Sequence, residues 1–198
     1  WAASLREIKK RIRPLFTQER VARNAGLFLE GLLGDEQRKT GWMRAEAAGD
    51  PGPWRQQAIL GRRDWDADAL RDIVRDYVIE HLADDDAVLV IDDTAIPKKG
   101  THSVGVAAQY ASALGKTANC QTMVSLTLAR GEVPVMLALR LFLPESWTNN
   151  QAQLERAGVP AEYRTARSKP EMALAEIDHV IAAGVRFVRL VREGAYDL

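Results

Sequence analysis

The stretch Ala87-Val88-Leu89-Val90-Ile91-Asp92-Asp93-Thr94 decides the fold of this chain. Five consecutive apolar residues, most of them β-branched, are typical of a strand buried inside a sheet. The run ends in two carboxylates, and Pro97 and Gly100 then predict a turn away from the sheet. We therefore expect Asp92 and Asp93 at the edge of a sheet, where loops gather and a metal or substrate can reach them.

Composition excludes several classes of protein. Lys plus Arg and Asp plus Glu each number 27 in 198 residues, so the net charge is zero and nucleic-acid binding would have to rest on local clusters. One cysteine and three histidines exclude a disulfide framework and argue against a Cys/His zinc site. No apolar run approaches the roughly 20 residues of a membrane span. We expect a cytoplasmic protein, and the start on Trp1 suggests a piece of a longer one.

Residues 1–83 predict an all-helical N-terminal domain. Apolar residues follow helical spacing from Val21 to Leu33, where Gly34 can end the helix. A first helix runs up to Pro14, residues 35–48 suggest a third, and a short one lies between the breaker at 49–53 and Leu60. Asp66 is placed to cap a further helix whose apolar residues continue to Leu82.

A basic cluster lies near the start of this helical domain. It comprises Lys9, Lys10, Arg11 and Arg13. Such a cluster suits a surface that faces a phosphate backbone, but a solvated helix face explains it equally well.

Residues after 100 predict strands and one crossover helix. Apolar residues alternate from Cys120 to Leu128 and from 133 to 143, which predicts an antiparallel hairpin. Ser168 and Glu171 have the spacing of a capping box, and the helix that follows can end at Gly184. A buried strand over 185–191 would then pair in parallel with the first strand. The fold class is therefore α/β, with a mixed sheet.

Asp92 and Glu193 both follow predicted central strands, and they are the candidate pair for a metal site. Mg²⁺ prefers oxygen ligands, and two such ions can activate a water or a 3′-hydroxyl at a phosphodiester. Spacing alone is a weak signal, because acids after strands also cap helices and form turns.

Several separate motifs, taken in order, resemble a known family. They are Val90-Ile91-Asp92-Asp93-Thr94, Pro97-Lys98-Lys99-Gly100-Thr101-His102-Ser103-Val104-Gly105-Val106, Gln109-Tyr110, Gly115-Lys116, Asn119-Cys120-Gln121 and Leu143-Pro144-Glu145-Ser146-Trp147. Together they are similar to the DDE-type transposases of bacterial insertion sequences, in the branch described as DDE superfamily endonucleases. The resemblance implies a ribonuclease-H-like catalytic domain over residues 84–198, which would cut and rejoin DNA ends with Mg²⁺ or Mn²⁺.

The resemblance also implies roles for particular residues. The first family aspartate falls on Asp92, and the second falls on Glu193, which is one methylene longer. The third acid, a glutamate on a later helix, has no counterpart, so we expect an incomplete sheet and a truncated copy. Lys98 and Lys99 would contact the DNA backbone beside Asp92, although exposed lysines are more often only solvated.

The expected partners are the terminal inverted repeats of an insertion sequence, target DNA and a second copy of the chain, at the bacterial nucleoid. Enzymatic activity of this chain stays open. An inactive DNA-binding remnant and another ribonuclease-H-like nuclease are the alternatives. For Trp147 we favour core packing over stacking on a base, and for Cys120 a buried strand position.

Overall fold

The computed structural model describes residues 1–61, 65–82 and 84–192. The chain divides into two compact units, Trp1–Ile73 and Val74–Leu198.

The first unit consists of helices in its described residues. They are α1 (Ala2–Ile12), α2 (Glu19–Leu33), α3 (Gly41–Ala47), α4 (Trp54–Gly61) and the first turns of α5 (Ala67–Leu82). The Asp66 carboxylate accepts the backbone N–H groups of Asp68 and Ala69, which confirms the predicted cap of α5. Helix α3 is shorter than predicted, since it begins only after Thr40, whose hydroxyl accepts the N–H of Met43.

Apolar side chains from the helices close a small core in this unit. Its buried members are Ile12, Phe16, Val21, Ala25, Phe28 and Ile59. Trp65 packs against this cluster, and its indole N–H donates to the carbonyl of Ile59 at 2.8 Å. The periodicity seen in the sequence is therefore the buried side of α1 and α2.

The second unit is built on a five-stranded mixed sheet. Its strands are β1 (Val88–Pro97), β2 (Ala107–Ala111), β3 (Lys116–Arg130), β4 (Val133–Phe142) and β5 (Arg189–Arg192). The long strand β3 pairs antiparallel with β1, β2 and β4, and β5 pairs parallel with β1. The predicted hairpin of β3 and β4 and the predicted parallel pairing with β1 are both confirmed.

Helix α8 (Lys169–Ala182) connects β4 to β5, after the short helices α6 (Glu145–Thr148) and α7 (Gln151–Arg156). The predicted capping box is present: the Ser168 hydroxyl accepts the N–H of Glu171, and the Glu171 carboxylate accepts the N–H of Ser168. Buried residues of α8 and of one sheet face form the main core. They are Ala87, Leu89, Ile91, Val124, Leu126, Leu128, Leu137, Ala138, Ala173, Ile177 and Val180, with Val78 and Val185.

The length of β1 corrects the first expectation. The strand does not end at the two acids but continues to Pro97, because β3 pairs with it residue by residue as far as Cys120. Asp92 and Asp93 therefore lie in the middle of β1 rather than on a loop.

Strand β4 does not present one continuous apolar face. A bulge between the pairs Leu126–Ala138 and Thr127–Met136 leaves Leu137 as an extra residue, and the alternation reverses there. Leu137 is buried, whereas Leu139 is 48% exposed.

The last strand is shorter and more exposed than predicted, and one strand was not predicted. β5 begins at Arg189 rather than 185, and its side chains are exposed because it lies at the end of the strand order and pairs with β1 alone among the described strands. Strand β2 has only five residues, three of which are alanines with low strand propensity, so it does not stand out in the sequence. The sheet as a whole is compatible with a ribonuclease-H-like fold. Among the described residues, no helix is long and apolar enough to cross a membrane.

Candidate functional site

The two central acids project to opposite faces of the sheet. Side chains alternate along a strand, so Asp93 shares a face with Leu89 and Ile91, the face that packs against α8. Asp92 lies on the other face, opposite Ser125 of β3. The Ser125 hydroxyl donates to the backbone carbonyl of Asp92 at 3.3 Å, which fastens the two strands at this point.

Asp93 is neutralised from within the unit. Its carboxylate accepts a hydrogen bond from the ammonium group of Lys169, the first residue of α8. The same ammonium group lies 5.6 Å from the ring centre of Phe142. A carboxylate paired in this way is occupied in holding α8 onto β1, and it is a poor ligand for a metal.

Asp92 has the opposite character. It is half-buried, and within the described residues no side chain forms an ion pair or hydrogen bond with its carboxylate. The parallel neighbour β5 pairs with β1 only as far as Ile91, which faces Arg192. Asp92 thus follows the last described pair of the two parallel strands. Glu193, the second predicted acid, lies outside the described residues.

The donor set at Asp92 fits a hard cation in part. An unpaired carboxylate on a sheet supplies the oxygen ligands that Mg²⁺ and Mn²⁺ prefer. In the described part of the chain, however, no three His, Cys, Asp or Glu side chains come together as a metal centre. The acidic run before β1 is not one either, since Asp84 pairs with Arg130 and Asp85 with Arg186.

The motif residues between β1 and β3 hold one loop in place. Residues 98–106, here called the crossing loop, run from the end of β1 to the start of β2 on the far side of β3. The Asn119 amide donates to the carbonyls of Lys98 and Gly100 at 2.8 and 2.9 Å. The Gln121 amide donates to the carbonyl of Val104 at 2.6 Å.

The far end of the crossing loop is held equally firmly. Trp147 is buried, as we favoured, and its indole N–H donates to the carbonyl of Val106 at 2.9 Å. Gly105 has a φ of +77°, and a Cβ there would come within 3.0 Å of the carbonyl oxygen of Phe142. The amide of Gln109 donates to the carbonyls of Gly105 and Cys120, and Cys120 is buried, as predicted. The sequence identified Asn119, Gln121 and Gln109 only as residues of the family motifs. It did not predict their hydrogen bonds, because most of the partners are backbone carbonyls distant in sequence.

The predicted DNA-contacting residues differ in their surroundings. Lys99 is exposed on the crossing loop and Lys98 is half-buried beside it. In the first unit, ion pairs with acids hold three of the four predicted basic residues: Lys9 with Glu30, Arg11 with Glu7 and Arg13 with Glu19. Lys10 is exposed. The four cations therefore do not form one uncompensated patch.

Two carboxylates elsewhere have clearly lowered pKa values. Burial would raise the pKa of Asp50, but hydrogen bonds from Gln56 and Arg55 and the charge of Arg55 outweigh it and lower the pKa. The pKa of Glu171 is lowered by the hydrogen bonds it accepts from the backbone and the hydroxyl of Ser168. Both groups stabilise helix ends or turns.

Comparison with known proteins identifies two similarities. The family model described as DDE superfamily endonuclease matches residues 11–198. A probable transposase for insertion sequence element IS701, from Microchaete diplosiphon, is 26% identical over 166 residues, which is 84% of this chain. The chain spans 40% of the length of that relative. No solved structure matches the chain.

Proposed function

From the premise that the chain belongs to the DDE superfamily endonucleases, we propose that it is the part of an insertion-sequence transposase that carries the first catalytic carboxylate. The activity proposed for the whole protein is metal-dependent cleavage of a phosphodiester at the ends of the element, followed by strand transfer. The IS701 relative supports this reading through its description as a probable transposase.

The observation that supports this proposal best is that the two acids on β1 differ in their side-chain partners. Asp93 is committed to Lys169, whereas Asp92 faces away from the core without a partner among the described side chains. Leaving a half-buried carboxylate unpaired in the middle of a strand costs stability. That cost is understandable if Asp92 binds a cation in the working protein.

We assign Asp92 and Glu193 as the metal-binding and catalytic carboxylates. Both follow directly in sequence the last described pair of the parallel strands, Ile91 and Arg192. When bound, Mg²⁺ or Mn²⁺ would supply Lewis-acid activation of the attacking oxygen and charge stabilisation at the phosphate. The protein itself contributes the rigid strand pair that fixes Asp92, through the Ser125 hydroxyl and the β1–β3 ladder.

The partner of this site is DNA, including the terminal repeats and the target. We assign Lys98 and Lys99 to contacts with the DNA backbone, because Lys99 is exposed and both lie on the crossing loop. The helical unit, with Lys9, Lys10, Arg11 and Arg13, is proposed to bind DNA or to assemble copies of the protein. Since acids already pair three of these cations, we expect their share in DNA binding to be small.

The experiment is cleavage of labelled DNA ends by the purified chain with Mn²⁺. Asp92→Asn should abolish cleavage, and Asp93→Asn, which changes the same chemical group on the other face, should retain part of it. Binding without cleavage in the wild type would favour an inactive remnant. Neither binding nor cleavage would refute the DNA assignment.

A further inference from the structure

The segment from the second half of β1 to the end of β3 contains no acidic residues. Residues 94–131 contain no Asp or Glu, although the chain has 27 of them, and they include Lys98, Lys99, His102 and Lys116. The segment is therefore positively charged within a chain whose net charge is zero. A surface of this kind attracts polyanions.

The strand register places part of this segment on the face of Asp92. Directly opposed residues of antiparallel strands project to the same face, and alternate residues share it. Ser125 lies opposite Asp92, so Gln121, Asn119 and Thr117 of β3 project to the same face as Asp92. The side-chain amides of Asn119 and Gln121 hold the crossing loop, which therefore passes over the Asp92 face.

An exposed aromatic residue continues this face beyond the crossing loop. Tyr110 of β2 lies opposite Thr117, and its side chain is 64% exposed. Lys116 lies opposite Ala111 and directly precedes Thr117 on β3, so its side chain projects to the opposite face of the sheet. From Ser125 to Asn119 is six residues of β3, or roughly 20 Å.

Resting on the function proposed above, we propose that this face is a track for a DNA strand with unpaired bases that leads to Asp92. Lys99 contacts a phosphate, and Tyr110 stacks on a base. An exposed aromatic ring beside a basic loop is the combination that single-strand-binding proteins use. Asn119 is a positioning residue, since it fixes the Lys98–Gly100 turn and would not itself touch the DNA.

The test is fluorescence anisotropy with a labelled 20-nucleotide DNA and its duplex, over a series of salt concentrations and without metal. Lys99→Gln should weaken binding and reduce the salt slope on single strands by about 0.7, the value expected for one lost phosphate contact. Lys116→Gln is the matched control, because it removes the same charge from the same acid-free segment on the opposite face. It should leave the slope unchanged.

Tyr110→Ala should weaken single-strand binding by roughly five- to a hundredfold and duplex binding much less. Asn119→Ala should reduce the salt slope as Lys99→Gln does. The double variant Asn119→Ala/Lys99→Gln should lose no more affinity for single-stranded DNA than either single variant. A purely structural Asn119 would give additive effects instead. Lys99 and Tyr110 are exposed, so their variants keep the test valid even if Asn119→Ala unfolds.

The track would be overturned if Lys99→Gln and Lys116→Gln changed the salt slope of single-strand binding equally. It would also be overturned if Tyr110→Ala left the affinity for single-stranded DNA unchanged. In either case DNA binding by the wild type would leave the proposed function standing. A wild-type chain that binds neither DNA would overturn both.

Discussion

Replacing Asp93 by Asn should destabilise the second unit, whereas the same change at Asp92 should not. Asp93 and Lys169 are 23% and 27% exposed, between the exposed pairs worth at most about 1 kcal/mol and the buried charged hydrogen bonds worth up to about 3 kcal/mol. We therefore expect Asp93→Asn to cost about 1–2 kcal/mol. For a chain of this size, that lowers Tm by about 2–8 °C.

The assay is thermal unfolding followed by circular dichroism, with a double-mutant cycle of Asp93→Asn and Lys169→Met. The coupling energy between the two should recover most of the 1–2 kcal/mol. Asp92→Asn is the control, and its Tm should stay within about 1 °C of the wild type or rise, because it removes a carboxylate without a described partner. A coupling energy near zero, or a larger loss at Asp92 than at Asp93, would refute the assignment of the two faces.

Three further predictions concern stability. Asp50→Ala leaves the buried amide of Gln56 without its acceptor and should lower the free energy of unfolding, measured in urea, by about 1–3 kcal/mol. Folding lowers the pKa of Asp50, so the wild type should keep this extra stability above a pH of about 4. It should lose the extra stability as the pH falls through the folded-state pKa. Glu176→Ala removes the ion pair between the Arg140 guanidinium and the buried Glu176 carboxylate, whose N···O distance is 2.6 Å, and should cost about 1–3 kcal/mol. An unchanged free energy of unfolding would contradict this prediction. Ser168→Ala removes the cap of α8 and should cost about 1 kcal/mol by thermal unfolding, while an unchanged Tm would mean that the capping box contributes nothing.

Local patterns in the sequence predicted those parts of the fold that depend on local physics. The spacing of Val21 to Leu33, the caps at Asp66 and Ser168, and the β3–β4 hairpin all follow from residues close together in the chain. The bulge at Leu137 was not predictable, because it arises from the pairing of β4 with β3 and not from the composition of β4.

The acidic pair on β1 could be recognised in the sequence, but its geometry could not be predicted. The acidic pair stood out in the sequence, yet which acid packs against α8 depends on the register of β1, and a shift of one residue would exchange them. The partner of Asp93 is 76 residues away, and the carbonyls that Asn119 binds are 21 and 19 residues away. Contacts of this kind leave no periodic signal.

The central claim, that Asp92 rather than Asp93 binds the metal, is tested most directly by Mn²⁺ titration followed by electron paramagnetic resonance. Relative to the wild type, Asp92→Asn and Asp93→Asn each lose one carboxylate charge, and the two variants differ only in the face of the sheet that is affected. We expect Asp92→Asn to weaken Mn²⁺ binding by roughly tenfold or more, since it removes a carboxylate ligand, and Asp93→Asn to leave it nearly unchanged. Loss of Mn²⁺ binding in Asp93→Asn with retention in Asp92→Asn would contradict the account.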